Sequence, residues 1–172
     1  RFANAVVASG ASPAELSWQA GVDGLSFGLT KNGGIATEAV VVFDPDLAQH
    51  IAYQRKRAGH LWSKQRFIAA QWLALLSNEL WRENAVHANA MANRLAQGLA
   101  SRCAIDMPWP VEANEVFPVL PEPLRNDLRN EGVAFYDWPV LPNMARFVTH
   151  FGTTPGEVDE LIELIAKRSM SI

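Results

Sequence analysis

Three times within its 172 residues the chain repeats one start signal for a helix. Ser12-Pro13-Ala14-Glu15 and Thr154-Pro155-Gly156-Glu157 each place a hydroxyl at the N-cap, proline at the first helical position and glutamate two residues later. The hydroxyl and the glutamate can satisfy each other's free backbone N–H groups, and proline loses nothing at a position whose N–H has no helical partner. Asp44-Pro45-Asp46 does the same with carboxylates, which suit the positive end of a helix dipole. These signals predict helices over 12–20, 46–57 and 155–168. Between the first two, Leu25-Ser26-Phe27-Gly28-Leu29 alternates apolar with small residues and predicts a strand over 25–29. Ala39-Val40-Val41-Val42-Phe43 is a continuous β-branched run, expected to be a strand buried on both faces. Residues 30–38 are left as a loop. Helix, strand, loop, strand, helix is the order of an α/β sheet, here its later part.

The second half reads differently. Phe67, Ala70, Leu73, Ala74, Leu76 and Leu80 recur at helical spacing over 62–80, and Val86, Met91, Leu95 and Leu99 over a further helix to about Ser101. Pro108 and Pro110 then punctuate the chain. Residues 114–120, 133–138 and 146–151 read as strands, with helices at 122–131 and 155–168, the last turning Val158, Leu161, Ile162 and Ile165 inward. This half is expected to be α+β, an antiparallel sheet with helices on one face. The domain boundary is placed near residue 80, giving units 1–80 and 81–172.

Charge and composition bear on function class. Fifteen Lys and Arg against 18 Asp and Glu leave a net charge of −3, without the basic excess of a nucleic-acid binder. The single Cys103 cannot form an intrachain disulfide, which fits a reducing, cytoplasmic setting, and no Cys/His spacing of metal-binding type occurs. No apolar run approaches the roughly 20 residues that span a bilayer. The chain opens on Arg1-Phe2-Ala3-Asn4, without Met, and so reads as a segment of a longer protein.

Chemistry concentrates in Ser26-Phe27-Gly28-Leu29-Thr30-Lys31-Asn32-Gly33-Gly34. A strand ends and is followed by a hydroxyl, a lysine and a glycine pair, and ligands of α/β sheets bind at such loops. A lysine held there can lose its proton and attack a carbonyl. The same residues also suit a solvated turn. The glycines follow the lysine, which excludes a phosphate-binding P-loop. Arg55-Lys56-Arg57 and Lys64-Gln65-Arg66 flank Gly59-His60 and, read alone, form a solvated helix face and its exit. His50, His87 and His150 show no partner in the sequence, and Trp109 and Trp138 are assigned to core or interface.

Arg1-Phe2-Ala3-Asn4-Ala5, then Gly21-Val22-Asp23-Gly24-Leu25-Ser26-Phe27-Gly28-Leu29-Thr30-Lys31-Asn32-Gly33, then Arg146-Phe147-Val148-Thr149-His150 together resemble the threonine aldolase family. The likeness is to its low-specificity L-threonine or phenylserine aldolase type, and to the C-terminal half of such a chain. It implies an aspartate-aminotransferase-like fold: the end of a large pyridoxal-phosphate domain over 1–80 and a small α+β domain over 81–172. It implies cleavage of L-threonine, L-allo-threonine or phenylserine to glycine and an aldehyde, in a homodimer or homotetramer with shared sites. Lys31 matches the lysine that forms the Schiff base with pyridoxal 5'-phosphate. Arg1 matches an arginine beside the cofactor ring and substrate carboxylate, and Arg146 the arginine that grips the α-carboxylate. Read without the family, Arg146 would equally be an edge-strand arginine paired with a surface acid. Lys56 and Lys64 lie where the family directs cations toward the cofactor phosphate. The family's aspartate for the pyridine nitrogen, its ring-stacking histidine and its phosphate loop would precede Arg1. The alternatives are a β-eliminating lyase with the same cofactor, or a non-catalytic interaction module derived from the fold.

Overall fold

The computed structural model describes residues 1–170, which divide within one long helix into two compact units, the first Arg1–Asn84 and the second beginning at Ala85. In the first unit, helix α1 (Phe2–Ser9) closes on Gly10 and buries Ala3, Asn4 and Val6. Strands β1 (Gly24–Gly28) and β2 (Glu38–Val42) form an antiparallel hairpin in which Gly24 faces Val42 and Gly28 faces Glu38. Helix α2 (Pro45–Arg57) starts on Asp44, whose carboxylate accepts from the N–H groups of Asp46 and Leu47. Helix α3 (Gln65–Leu76) ends in a 3-10 turn, Ser77–Glu79. Helix α4 (Leu80–Arg102) follows and carries the chain into the second unit. An aromatic run, Phe2 to Phe27 to Trp72 with centroids 5.6 and 5.0 Å apart, ties α1 and α3 to β1.

Two expectations fail here. The helix predicted over 12–20 is a single turn followed by a 3-10 turn, Trp18–Ala20. Its start signal forms completely: Ser12 N–H and Oγ–H both donate to Glu15 Oε2, at 2.7 and 2.8 Å, and Glu15 N–H donates to Ser12 Oγ. Propagation stops because the Ser17 hydroxyl donates to the Pro13 carbonyl at 2.6 Å, while Ser17 itself leaves helical geometry at φ −138°, ψ −107°. The strand expected to be buried on both faces is β2, whose Val40 is 61% exposed. Among the described residues its sheet has two strands, and the Val40 face is uncovered.

In the second unit, β3 (Glu115–Val116), β4 (Tyr136–Asp137) and β5 (Ala145–Val148) make an antiparallel sheet in the order β3-β5-β4. The strands are shorter than predicted. Pro118 removes a ladder donor from the first, and the Val133 N–H is spent on the Leu128 carbonyl, closing α5 (Glu122–Asn130). Alternation along β5 sends Ala145 and Phe147 into the core and Arg146 and Val148 to the other face. That core joins Met91, Leu95 and Leu99 of α4, Leu124 and Leu128 of α5, and Val158, Ile162 and Ile165 of α6 (Pro155–Ser169). Helices thus pack on one face of this sheet. Helix α6 carries a complete capping box, Thr154 with Glu157. No helix among the described residues is long and apolar enough to cross a membrane.

Candidate active site

The hairpin of the first unit turns through residues 29–37, and the turn is built around what each residue can bury. Leu29 and Thr37 are fully covered, and the Leu29 N–H donates to the Thr37 carbonyl at 3.0 Å. Thr30–Asn32 form a 3-10 turn, after which Gly33 takes φ +112°, a left-handed conformation that side chains rarely tolerate. At Gly34 a Cβ would lie 2.8 Å from both Leu29 Cβ and Thr37 Cγ2, so only glycine fits without displacement. Asn32 is buried and acts as the anchor. Its amide donates to the Trp81 carbonyl at 2.8 Å, and its own carbonyl accepts from Asn84 Nδ2 at 2.9 Å. The loop is thereby fastened to the first turn of α4, and the neighbouring Lys31 is left exposed.

Lys31 lines a cleft of about 340 Å³ together with Arg1, Ser26, Gly28, Thr30 and Glu38. Two cations and two hydroxyls thus share one concavity with a single carboxylate. Glu38 is placed there by the hairpin register. It faces Gly28 across the ladder, folds over the space that a side chain at Gly28 would occupy, and accepts from Thr30 Oγ at 2.9 Å.

Of the residues singled out in the sequence, Lys31 and Arg1 are brought together in this cleft. Lys56 lies exposed in the last turn of α2 and Lys64 exposed just before α3, and neither lines the cleft. Arg146 belongs to the second unit. It sits on the central strand of its sheet, not an edge, with Nη1 3.8 Å from Glu115 Oε1. Its guanidinium carbon lies over the Tyr136 and Trp138 rings, 5.0 and 4.8 Å from their centroids. The histidines have local duties: His87 Nε2 is 2.6 Å from the Thr153 carbonyl, and His150 Nδ1 accepts from Gly152 N–H at 3.0 Å. His60 is exposed. Sequence reading did not single out Glu38, Asn32 or Tyr136. The signal available for Glu38 was a glycine opposite an acid, visible only once the hairpin register is known.

Just past the end of β1, a lysine thus shares a cleft with an arginine, two hydroxyls and one carboxylate in a chain of α/β character. The chain belongs to the beta-eliminating lyase family, whose model matches residues 1–122. It is 45% identical over 161 residues to a low specificity L-threonine aldolase of Pseudomonas aeruginosa, covering 94% of this chain and 46% of that one. It is 42% identical, with the same coverage, to a low specificity L-threonine aldolase of Pseudomonas sp.. A solved structure of Leishmania major threonine aldolase superposes with a TM-score of 0.82 at 26% identity, covering 98% of this chain and 50% of the other. These relatives bear out the resemblance and the aspartate-aminotransferase-like fold class read from the sequence. The chain spans about half the length of the curated relatives it matches.

Proposed function

We propose that this chain is the C-terminal half of a cytoplasmic, pyridoxal-phosphate-dependent aldolase that splits β-hydroxy-α-amino acids into glycine and an aldehyde. L-Threonine, L-allo-threonine and phenylserine are the substrates in view. One observation carries the reading: Lys31, held outward by the Asn32 anchor, opens into a cleft it shares with Arg1, Ser26 and Thr30. That donor set fits an aldehyde bearing a phosphate, since it offers an amine for the carbonyl and two cations and the Ser26 hydroxyl for the anion, while the one carboxylate, Glu38, is held by the Thr30 hydroxyl.

In this reading residues 1–80 end the large cofactor domain and 81–172 form the small one. Lys31 holds the cofactor covalently through Nζ, and Arg1 balances its negative charge. When bound, pyridoxal phosphate supplies the electron sink that allows a Cα–Cβ bond to break. Arg146 grips the α-carboxylate through its planar guanidinium and so fixes which bond of the substrate is presented for cleavage. Lys56 and Lys64, outside the cleft of this chain, serve the phosphate of a neighbouring subunit in a homodimer or homotetramer. The family match equally favours a second reading, β-elimination on the same cofactor; release of ammonia instead of glycine would single it out.

The test is an absorbance spectrum of the longer parent protein with pyridoxal phosphate, followed by borohydride reduction and peptide mapping. The expected result is a long-wavelength band and a pyridoxyl label on Lys31, both lost in Lys31→Ala. A parent protein with neither band nor label would overturn the proposal.

A further inference from the structure

Resting on the reading of Arg146 as the carboxylate grip, we propose that Tyr136 and Trp138 are positioning residues: they balance the charge of Arg146 without using its hydrogen-bond donors, so that its N–H edge is kept for one carboxylate. The placement follows from register. Tyr136 on β4 is the direct cross-strand partner of Arg146 on β5, and Trp138 lies two residues further along the same face. The pairing is continued past the strand by Trp138 N–H, which donates to the Met144 carbonyl at 2.7 Å. From Trp138 the aromatic contact runs on to Phe117 at 5.5 Å and from there to Trp109 at 5.1 Å, so this ring is packed within an aromatic cluster.

The chemistry of the cation makes this more than packing. Guanidinium donors all lie in its plane, and a ring attracts the cation through its π-face without accepting a conventional hydrogen bond. Arg146 is only 20% exposed, and its buried Nε has no hydrogen-bond partner. Glu115, at 3.8 Å from Nη1, is close enough for charge attraction and too far for a hydrogen bond. A largely buried arginine is thus electrostatically supported by two rings and a carboxylate while a donor at its root stays unused. Arg94 spends its donors on Asp159, both bonds at 2.7 Å, and Arg125 and Arg168, whose Nε atoms are also unpartnered, each donate from Nη to a carboxylate, to Asp137 and Glu131. Held as it is, Arg146 is pre-organised for an incoming carboxylate, and less ordering remains to oppose binding.

The experiment compares calorimetric binding of glycine and of glycinamide to the cofactor-loaded parent protein. Glycinamide presents the same amine without the carboxylate. In Trp138→Leu and in Tyr136→Leu, glycine affinity is expected to fall by roughly 2- to 30-fold, the span from an exposed to a desolvated cation–π contact. Glycinamide affinity should stay unchanged, and Trp138→Phe should restore most of the preference for glycine. Tyr136 is 68% exposed on an edge strand, so its variant remains informative if the tryptophan variant does not fold. Arg146→Leu separates the two levels. If it leaves the glycine-to-glycinamide ratio intact, the carboxylate-grip reading and this proposal fall together. If it collapses the ratio while folded aromatic variants keep theirs, or lose both ligands equally, the positioning role alone is overturned.

Discussion

The anchor beside Lys31 offers the sharpest test of how the loop is held. Replacing Asn32 by aspartate keeps its shape and removes the donor that reaches the Trp81 carbonyl at 2.8 Å. The lost hydrogen bond is worth about 1 kcal/mol net. The larger effect is electrostatic, because Asn32 is 6% exposed and a carboxylate there would face a carbonyl oxygen with no donor in return. An unpaired buried charge costs roughly 3–5 kcal/mol. Asn32→Ala loses the bond and leaves a small hole, a cost of about 1–2 kcal/mol. At pH 7.5 the order of stability is therefore wild type, then Asn32→Ala, then Asn32→Asp. The penalty disappears in acid. Burial raises the new carboxyl's pKa in the folded state, so the neutral form is favoured there and its hydroxyl can donate to Trp81. The penalty is absent below the unfolded value of about 3.9, grows as pH rises through it, and is complete above the folded value. Urea unfolding followed by tryptophan fluorescence, with each variant set against wild type at pH 4 and pH 7.5, reads the difference. An Asn32→Asp variant as stable as wild type at pH 7.5, or no less stable than Asn32→Ala, would refute the anchoring role.

The same turn predicts a contrast between two glycines. Gly34→Ala must push apart the buried Leu29 and Thr37 and should cost about 1–3 kcal/mol, whereas Gly28→Ala meets only the movable end of Glu38 and should stay within about 0.5 kcal/mol, both read by urea midpoints. In the second unit the Asp137 carboxyl is held below its usual range by its hydrogen bond to Arg125, at 2.5 Å, and by Arg129, at 2.6 Å. Its contribution is present above the unfolded carboxylate range and lost as pH falls through the depressed folded value. The melting-temperature gap between wild type and Asp137→Asn should accordingly be largest near neutrality and close in acid. Thr154→Ala removes the N-cap of α6 and should lower stability by about 1 kcal/mol, with Thr154→Ser restoring most of it in the same denaturation assay.

How far the sequence could be read depended on how far apart the interacting residues lie. The starts of α2 and α6 were legible because every bond in them joins residues at most three positions apart. The same signal at Ser12 shows the limit of that locality. All its capping bonds form, yet a cap satisfies only the first turn, and the Ser17 hydroxyl then takes the carbonyl that a second turn needs. Helix starts are thus more readable than helix lengths. The Asn32–Trp81 bond spans 49 positions, and the Gly28–Glu38 and Tyr136–Arg146 pairings depend on register, which a shift of one residue would invert. Spacing alone therefore left Lys31 between a candidate and a solvated turn, the family resemblance singled it out, and neither showed what presents it.

The motif around that lysine divides its labour in a way that bears on function. Leu29 and Thr37 fill the interior, Asn32 bonds to α4, Gly33 supplies the left-handed turn, and Gly34 leaves room for its neighbours. Lys31 is the side chain in the loop's centre to which none of this work falls: among the described residues it makes no side-chain hydrogen bond, and it opens into the cleft. A solvated turn would need neither a buried asparagine fastened to a distant helix nor a glycine wedged against two covered side chains. Each of those features stabilises the turn and at the same time restricts where Lys31 can go. An amine held at a fixed place beside Arg1 and two hydroxyls is what covalent capture of an anionic carbonyl compound requires. On the function proposed above, the anchoring of the loop, more than the presence of a lysine in it, is what would present the amine to a carbonyl.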